Sequence, residues 1–289
     1  MIFLLIVSLI WAFSFGLIKN NLVGIDPNFV AFIRLFISFL IFLPFLKLKQ
    51  INSKIFFSFA FTGAVQYGIM YISYIYAFHF IKAYEVALFT IFTPIYIVII
   101  NDLLKHKFHP GYYGIASIAL IGTAIIVWHN ITSAELLTGF ILVQTANISF
   151  AYGQLNYKNV MRKFPELNDT DVFALLYLGG VFIAFPISLF TTDCFSLILS
   201  GKEIYTLLYL GIVASGVGFF LWNYGARRVN TGSLAVYNNL KIPLAIIVSI
   251  IFFSEKINIS NLLIGGLIVT FALVINEYRI NKQYTKLND

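Results

Sequence analysis

Charge is scarce in this 289-residue chain. Only 11% of the residues are charged, with 12 acidic side chains against 19 lysines and arginines. Soluble domains carry about 25% charged residues. Together with a hydrophobic share of 60% and a mean hydropathy of +0.89, that scarcity excludes an ordinary water-soluble domain. Cysteine is almost absent: Cys194 stands alone, which excludes an intramolecular disulfide and a cysteine metal cluster. Catalytic signatures are missing too. His79, His106, His109 and His129 fall at expected helix ends or loops. No H-E-x-x-H, C-x-x-C, P-loop or G-x-S-x-G pattern occurs, so neither an enzyme, nor a metal site, nor a cofactor is expected. The opening MIFLLIVSLIWAFSF lacks a basic n-region and a small-residue cleavage site, and is expected to stay as a helix. The net charge of +7 raises nucleic acid as a partner, but the basic residues sit mostly in short loops between apolar runs, so none is expected.

Those runs are what the chain has in plenty. Ten can be marked: Ile2–Ile18, Asn28–Leu46, Ile55–Phe78, Tyr84–Leu103, Gly111–Trp128, Leu136–Tyr157, Val172–Phe190, Tyr205–Tyr224, Gly232–Phe253 and Asn261–Ile275. Most have the roughly 17–25 residues that a helix needs to cross a bilayer. The 31 Phe and 17 Tyr suit lipid-facing surfaces and interfacial belts. Of the 19 lysines and arginines, 13 lie after even-numbered runs or in the C-terminal tail, among them Lys47, Lys158, Arg162, Arg227 and Arg228. Four lie after odd-numbered runs (Lys19, Lys82, Lys202, Lys256), and Arg34 and Lys241 fall within runs. Positive charge marks cytoplasmic loops, which places both termini in the cytoplasm.

The chain also repeats. Ser14-Phe15 recurs as Ser149-Phe150, Pro44 as Pro186, Tyr76-Ala77 as Tyr224-Gly225, and Pro94 as Pro243. Two halves of five helices each, residues 1–133 and 134–289, must face opposite ways because five is odd. The expected fold is an all-α integral membrane protein whose ten transmembrane helices form two inverted five-helix repeats, a plan of secondary transporters that puts substrate near the midplane.

Polar residues inside the apolar runs are the candidate site. Counted from about Thr231, Lys241 lies about 15 Å along its helix at 1.5 Å per residue, near the middle of a hydrocarbon core about 30 Å thick. A lysine so deep faces protein or a water-filled cavity. It either meets an anionic group of a substrate or pairs with a buried acid or helix-end carbonyls. Asn238 shares its helical face, with Tyr237 and Asn239 alongside. Arg34 is either a fork donor for a carboxylate or part of a packing or gating ion pair. Gln66, with Tyr67 next to it, and the run-six stripe Gln144, Asn147 and Gln154 either wall a cavity or bridge helices. Trp11, Trp222, Tyr71 and Tyr224 either sandwich a flat ring or belong to interfacial belts. Glu85 either couples transport to protons or caps a helix start, where the dipole favours an acid.

Trp11, Arg34, Pro94, Pro243 and the five-plus-five plan resemble EamA-type transporters of the drug/metabolite transporter superfamily. More narrowly, Gly68-Ile-Met-Tyr71, Glu85-Val-Ala-Leu-Phe-Thr90, Asn147-Ile-Ser-Phe-Ala151, Val213-Ala-Ser-Gly216, Trp222-Asn-Tyr-Gly-Ala226 and Asn238-Asn239 are similar to the YigM-type bacterial biotin transporters. The resemblance implies import of biotin across the bacterial inner membrane by alternating access, without cofactor or obligatory oligomer. Under it, Lys241 suits biotin's carboxylate, Asn238 and Asn239 suit its ureido ring, and the aromatics suit its thioether ring and chain. Arg34, Gln66, Tyr71, Asn147, Gln154, Trp222 and Tyr237 complete the expected substrate-binding set, with Glu85 as the coupling candidate. The alternative is an EamA-type exporter of amino acids or related metabolites; an intramembrane scaffold or enzyme is a third class, which the polar stripe and the lack of a catalytic set disfavour.

Overall fold

The computed structural model of the chain describes residues 2–104, 134–193, 197–229 and 231–254, with isolated positions between 118 and 125 and between 260 and 278. Within 231–240 the described side chains are those of Leu234, Tyr237 and Asn238. The described residues form long helices and no strand. In chain order these are α1 (Ile2–Asn21), α2 (Pro27–Phe45), α3 (Ser53–Ala77), α4 (Ala83–Leu104), α5 (Ala134–Lys163), α6 (Asp169–Thr191), α7 (Gly201–Ala226) and α8 (Thr231–Phe253). Seven of them, α1 to α7, are long and apolar enough to cross a membrane, and α8 contributes the shorter apolar stretch Lys241–Phe253. The chain is thus a multi-pass membrane protein. The expected runs Gly111–Trp128 and Asn261–Ile275, and Cys194, lie outside the described residues, apart from the isolated positions.

Local chemistry sets where these helices start. Asp26 caps α2, its Oδ1 accepting from the Asn28 and Phe29 amides, with Pro27 supplying a preset φ at the first turn. Asn52 caps α3 through the Ile55 amide. Ser200 and Glu203 form a reciprocal capping box at the start of α7. Glu85 reaches back from the first turn of α4 to accept from the Lys82 amide at 2.8 Å and also accepts from the Tyr84 hydroxyl.

Two helices are not regular throughout. A π-helical segment interrupts α3 at Ala64–Ile69 and another interrupts α7 at Leu210–Val217. Side chains from neighbouring helices bond to carbonyls of the α7 segment. Trp11 Nε1 donates to Ala214 (2.9 Å), Ser38 to Gly211 (2.9 Å), and the Tyr177 hydroxyl to Ser215 and Gly216 (2.8 and 2.7 Å). Such segments are rare and concentrate at functional sites.

Packing closes the helices into a bundle. α1 lies against α7 and α8, α2 against α6 and the π segment of α7, α3 against α5 and α6, and α4 against α5 and α8. α3 and α6 meet backbone to backbone: a Cβ on Gly63 would overlap the Leu176 carbonyl, and one on Gly179 the Ala60 carbonyl. Only glycine permits that approach. One end of the bundle is tied by charge. Lys47 pairs with Asp171 at 3.2 Å, Arg227 and Arg228 approach Asp169, Tyr157 donates to Asp169, and Lys158 donates to the Val229 carbonyl. At the opposite end, Asp26 gathers Thr191 and Thr192, and Asn21 bonds Thr206.

Candidate functional site

A cavity lies inside the bundle, walled by α1, α2, α3, α4, α5, α7 and α8. Its floor is aromatic. Trp11, Phe150 and Phe219 pack on one another with ring centroids 4.9–5.8 Å apart, and Tyr71 stands edge-on to Phe219 at 5.7 Å. Trp222 stacks behind Trp11 at 4.8 Å.

Lys241 projects into this cavity from α8, a helix that begins at Thr231 as the sequence leads one to expect. The residue is 5% exposed. Its Nζ sits 5.3 Å from the Trp11 ring centroid and 5.5 Å from that of Phe150, within reach of cation–π attraction. Among the described residues it has no ion-pair or hydrogen-bond partner, and no acidic side chain lines the cavity. A buried cation without an anion is expensive. It is tolerable where rings stabilise it and an anionic ligand comes and goes.

Arg34, 3% exposed, is the second cation on the wall. Its Nε donates to Ser215 Oγ (3.1 Å) and its Nη2 to the Tyr71 hydroxyl (2.9 Å), while its Cζ lies 4.5 Å from the Tyr71 ring centroid. Asn147 joins from α5. Its amide donates to the Phe89 carbonyl and to Gln144, and its Oδ1 accepts from Thr93. These bonds hold it across the 3₁₀ turn Thr90–Phe92 in α4.

Five of the residues singled out in the sequence, Lys241, Arg34, Tyr71, Asn147 and Trp11, therefore meet at one cavity. Three more form a layer behind it: Gln154 accepts from Trp222 Nε1 at 2.9 Å and from Asn238 at 3.5 Å. Asn238 also donates to the Leu234 carbonyl, and its Oδ1 is buried without a partner. Gln66 is turned away from the cavity, where it exchanges two amide bonds with Asn223 (3.0 and 3.3 Å). Asn223 in turn donates to the Tyr67 hydroxyl. Tyr237 is half-buried against the apolar core, away from the cavity lining. Glu85 is buried at the start of α4, where its Oε2 caps the Lys82 amide and its Oε1 accepts from the Tyr84 hydroxyl. Tyr224 lies at the charged end of the bundle, 3.2 Å beneath the Arg228 guanidinium. The side chain of Asn239 is outside the described residues.

The cavity also has walls that the sequence reading did not pick out as site residues: Tyr74, Thr90, Phe219 and, through Arg34, Ser215. Ser14-Phe15, noticed only as a repeat mark, and Phe150, also part of the Asn147-Ile-Ser-Phe-Ala151 match, are lining residues as well.

Known proteins resemble this chain over nearly its whole length. A probable biotin transporter of Pseudomonas aeruginosa is 34% identical over 277 residues, covering 95% of this chain and 96% of that protein. The biotin transporters of Salmonella typhimurium and Escherichia coli K12 are 34% and 33% identical over 279 residues, covering 96% of this chain and 93% of each. A solved crystal structure shares the fold at a TM-score of 0.70 with 15% identity, over 95% of both chains. With the EamA-like transporter family matching residues 1–128 and 137–277, the chain belongs to that family.

Proposed function

We propose that this protein carries biotin into bacterial cells across the inner membrane, with both termini in the cytoplasm, and that Lys241 receives the biotin carboxylate. The observation that carries this reading is the lone buried ammonium in an aromatic cavity that has no acid among its described lining residues. A small monocarboxylate with an apolar body complements such a site. Similarity to proteins named biotin transporters narrows the monocarboxylate to biotin. The function is that of a carrier, not an enzyme.

Alternating access by two inverted five-helix repeats, 1–133 and 134–289, is the proposed mechanism. Several features support it. α3 and α7, the third helix of each half, both hold a π-helical segment, and Ile69 and Val217 at their ends are 148 residues apart, as are Tyr76 and Tyr224. α1 packs on α8 as α5 packs on α4, and α3 packs on α5 and α6 as α7 packs on α1 and α2. The family match falls in two stretches that flank the proposed boundary.

The test is uptake of labelled biotin, at limiting concentration, by an auxotroph lacking its own importer. Expression should restore accumulation and growth. If labelled biotin neither accumulates nor binds the purified protein, an amino-acid or metabolite exporter on the same fold replaces this reading.

A further inference from the structure

Arg34 and Lys241 face one cavity, yet their donors are differently engaged. On Arg34, Nε and Nη2 bond Ser215 Oγ and the Tyr71 hydroxyl, and those two oxygens share a hydrogen bond of 2.7 Å. They occupy one edge of the guanidinium much as the paired oxygens of a carboxylate do. Among the described residues, Nη1 is left buried with no partner. Buried donors on charged groups are rarely left unmade, and a ligand acceptor is one of the few explanations.

Aromatic rings separate the two cations. The Arg34 guanidinium lies over Tyr71, Tyr71 contacts Phe219, Phe219 contacts Trp11, and Trp11 lies under Lys241. The two donors are thus joined by a run of aromatic contacts along one cavity. The two also differ in kind. Lys241 has its whole ammonium unpaired, which suits an anion. Arg34 already spends two of its five N–H groups on Ser215 and Tyr71, and Nη1 is the nitrogen left wholly without a partner among the described residues. A single ligand oxygen at Nη1 completes it.

We infer that Arg34 reads the uncharged carbonyl end of the substrate, Nη1 donating to that oxygen, while Lys241 holds the carboxylate at the other end. Tyr71 and Ser215 act as positioning residues that fix the guanidinium. This rests on the biotin reading above, in which the carbonyl is the ureido oxygen. A monocarboxylate with no acceptor at its far end would leave Nη1 buried and unpaired, so the site selects against simple fatty acids.

The test measures affinities of purified protein for biotin, for biotin amide, and for 2-iminobiotin, whose ureido carbonyl is replaced by an imino group protonated at neutral pH. Wild type should bind 2-iminobiotin on the order of tenfold to a hundredfold more weakly than biotin, the value of one hydrogen bond to a charged group. Arg34→Gln should weaken biotin and biotin amide by the same factor and leave 2-iminobiotin unchanged or improved. Ser215→Ala, which keeps the arginine and loosens it, should narrow the biotin to 2-iminobiotin ratio part of the way. The inference is overturned if wild type binds 2-iminobiotin as well as biotin, if Arg34→Gln weakens all three alike, or if it weakens biotin and spares the amide. The last result would make Arg34 the carboxylate partner. Should Arg34→Gln not fold, the wild-type comparison and Ser215→Ala still decide. A wild type that binds none of the three removes the biotin reading itself, and this inference with it.

Discussion

Replacing Lys241 by alanine removes the one ammonium that faces the cavity unpaired. Affinity for biotin should fall on the order of tenfold to a hundredfold, since a hydrogen bond to a charged group contributes roughly 1.5–3 kcal/mol. Lys241→Arg should recover part of this, and Lys241→His less, because an ordinary histidine is mostly neutral at pH 7. Biotin amide should bind wild type poorly and lose little more in Lys241→Ala; equal losses for acid and amide would make the lysine structural. At this scale the sequence was informative where a polar side chain broke an apolar run. Lys241, Arg34, Tyr71 and Asn147 were legible and line the cavity. For Gln66 the same logic left cavity wall and helix bridge both open, because a helical face shows the direction of an amide but not which neighbour will take it. Here Asn223 takes it. Tyr74 and Phe219 were invisible for the opposite reason: among 17 Tyr and 31 Phe, no pattern marks these two as cavity residues.

The π-helical segments belong to the next scale, and nothing in the residue spacing announced them. The one in α7 coincides with tertiary contacts: Trp11, Ser38 and Tyr177 bond carbonyls that a regular helix would keep for itself. Helix positions, by contrast, were largely readable, since run length and hydropathy determine them; the expected starts at Asn28 and Thr231 fall at or within a residue of the observed ones. Close packing through glycine gives a test of how α3 and α6 meet. Gly179→Ala inserts a methyl group into the Ala60 carbonyl, and Gly63→Ala one into that of Leu176. Each should cost about 1–3 kcal/mol, the usual range for overpacking, or more where backbone must move. Gly24→Ala and Gly201→Ala, where a Cβ meets nothing within 4 Å, should be neutral. Thermal unfolding in detergent distinguishes the pairs, and four equal midpoints would refute the close approach.

For the whole molecule, the proposed orientation assigns the end bearing Lys47, Asp169, Asp171 and Arg228 to the cytoplasm. In a background with Cys194 replaced by serine, cysteines at the exposed positions Gln50 and Glu166 should label only in permeabilised cells, and one at Ile198 should label from outside. Labelling of Gln50 in intact cells would reverse the orientation. The proposed pairing of helices across the two halves shows in the sequence only as weak residue echoes, because a repeat of orientation leaves little trace in a composition that is apolar throughout. The cavity's two cations, with no acid among its described walls, have an electrical consequence. Filling the site with a monovalent anion changes its charge by one unit, so the empty and loaded carriers respond differently to membrane potential, by up to about 2.3 kcal/mol per 100 mV. Exchange of labelled for unlabelled biotin requires only the loaded crossing, whereas net uptake also requires the empty carrier to return. In proteoliposomes under an imposed diffusion potential, the two rates should therefore shift by different factors. Equal shifts would mean that the cavity's charge does not move through the field.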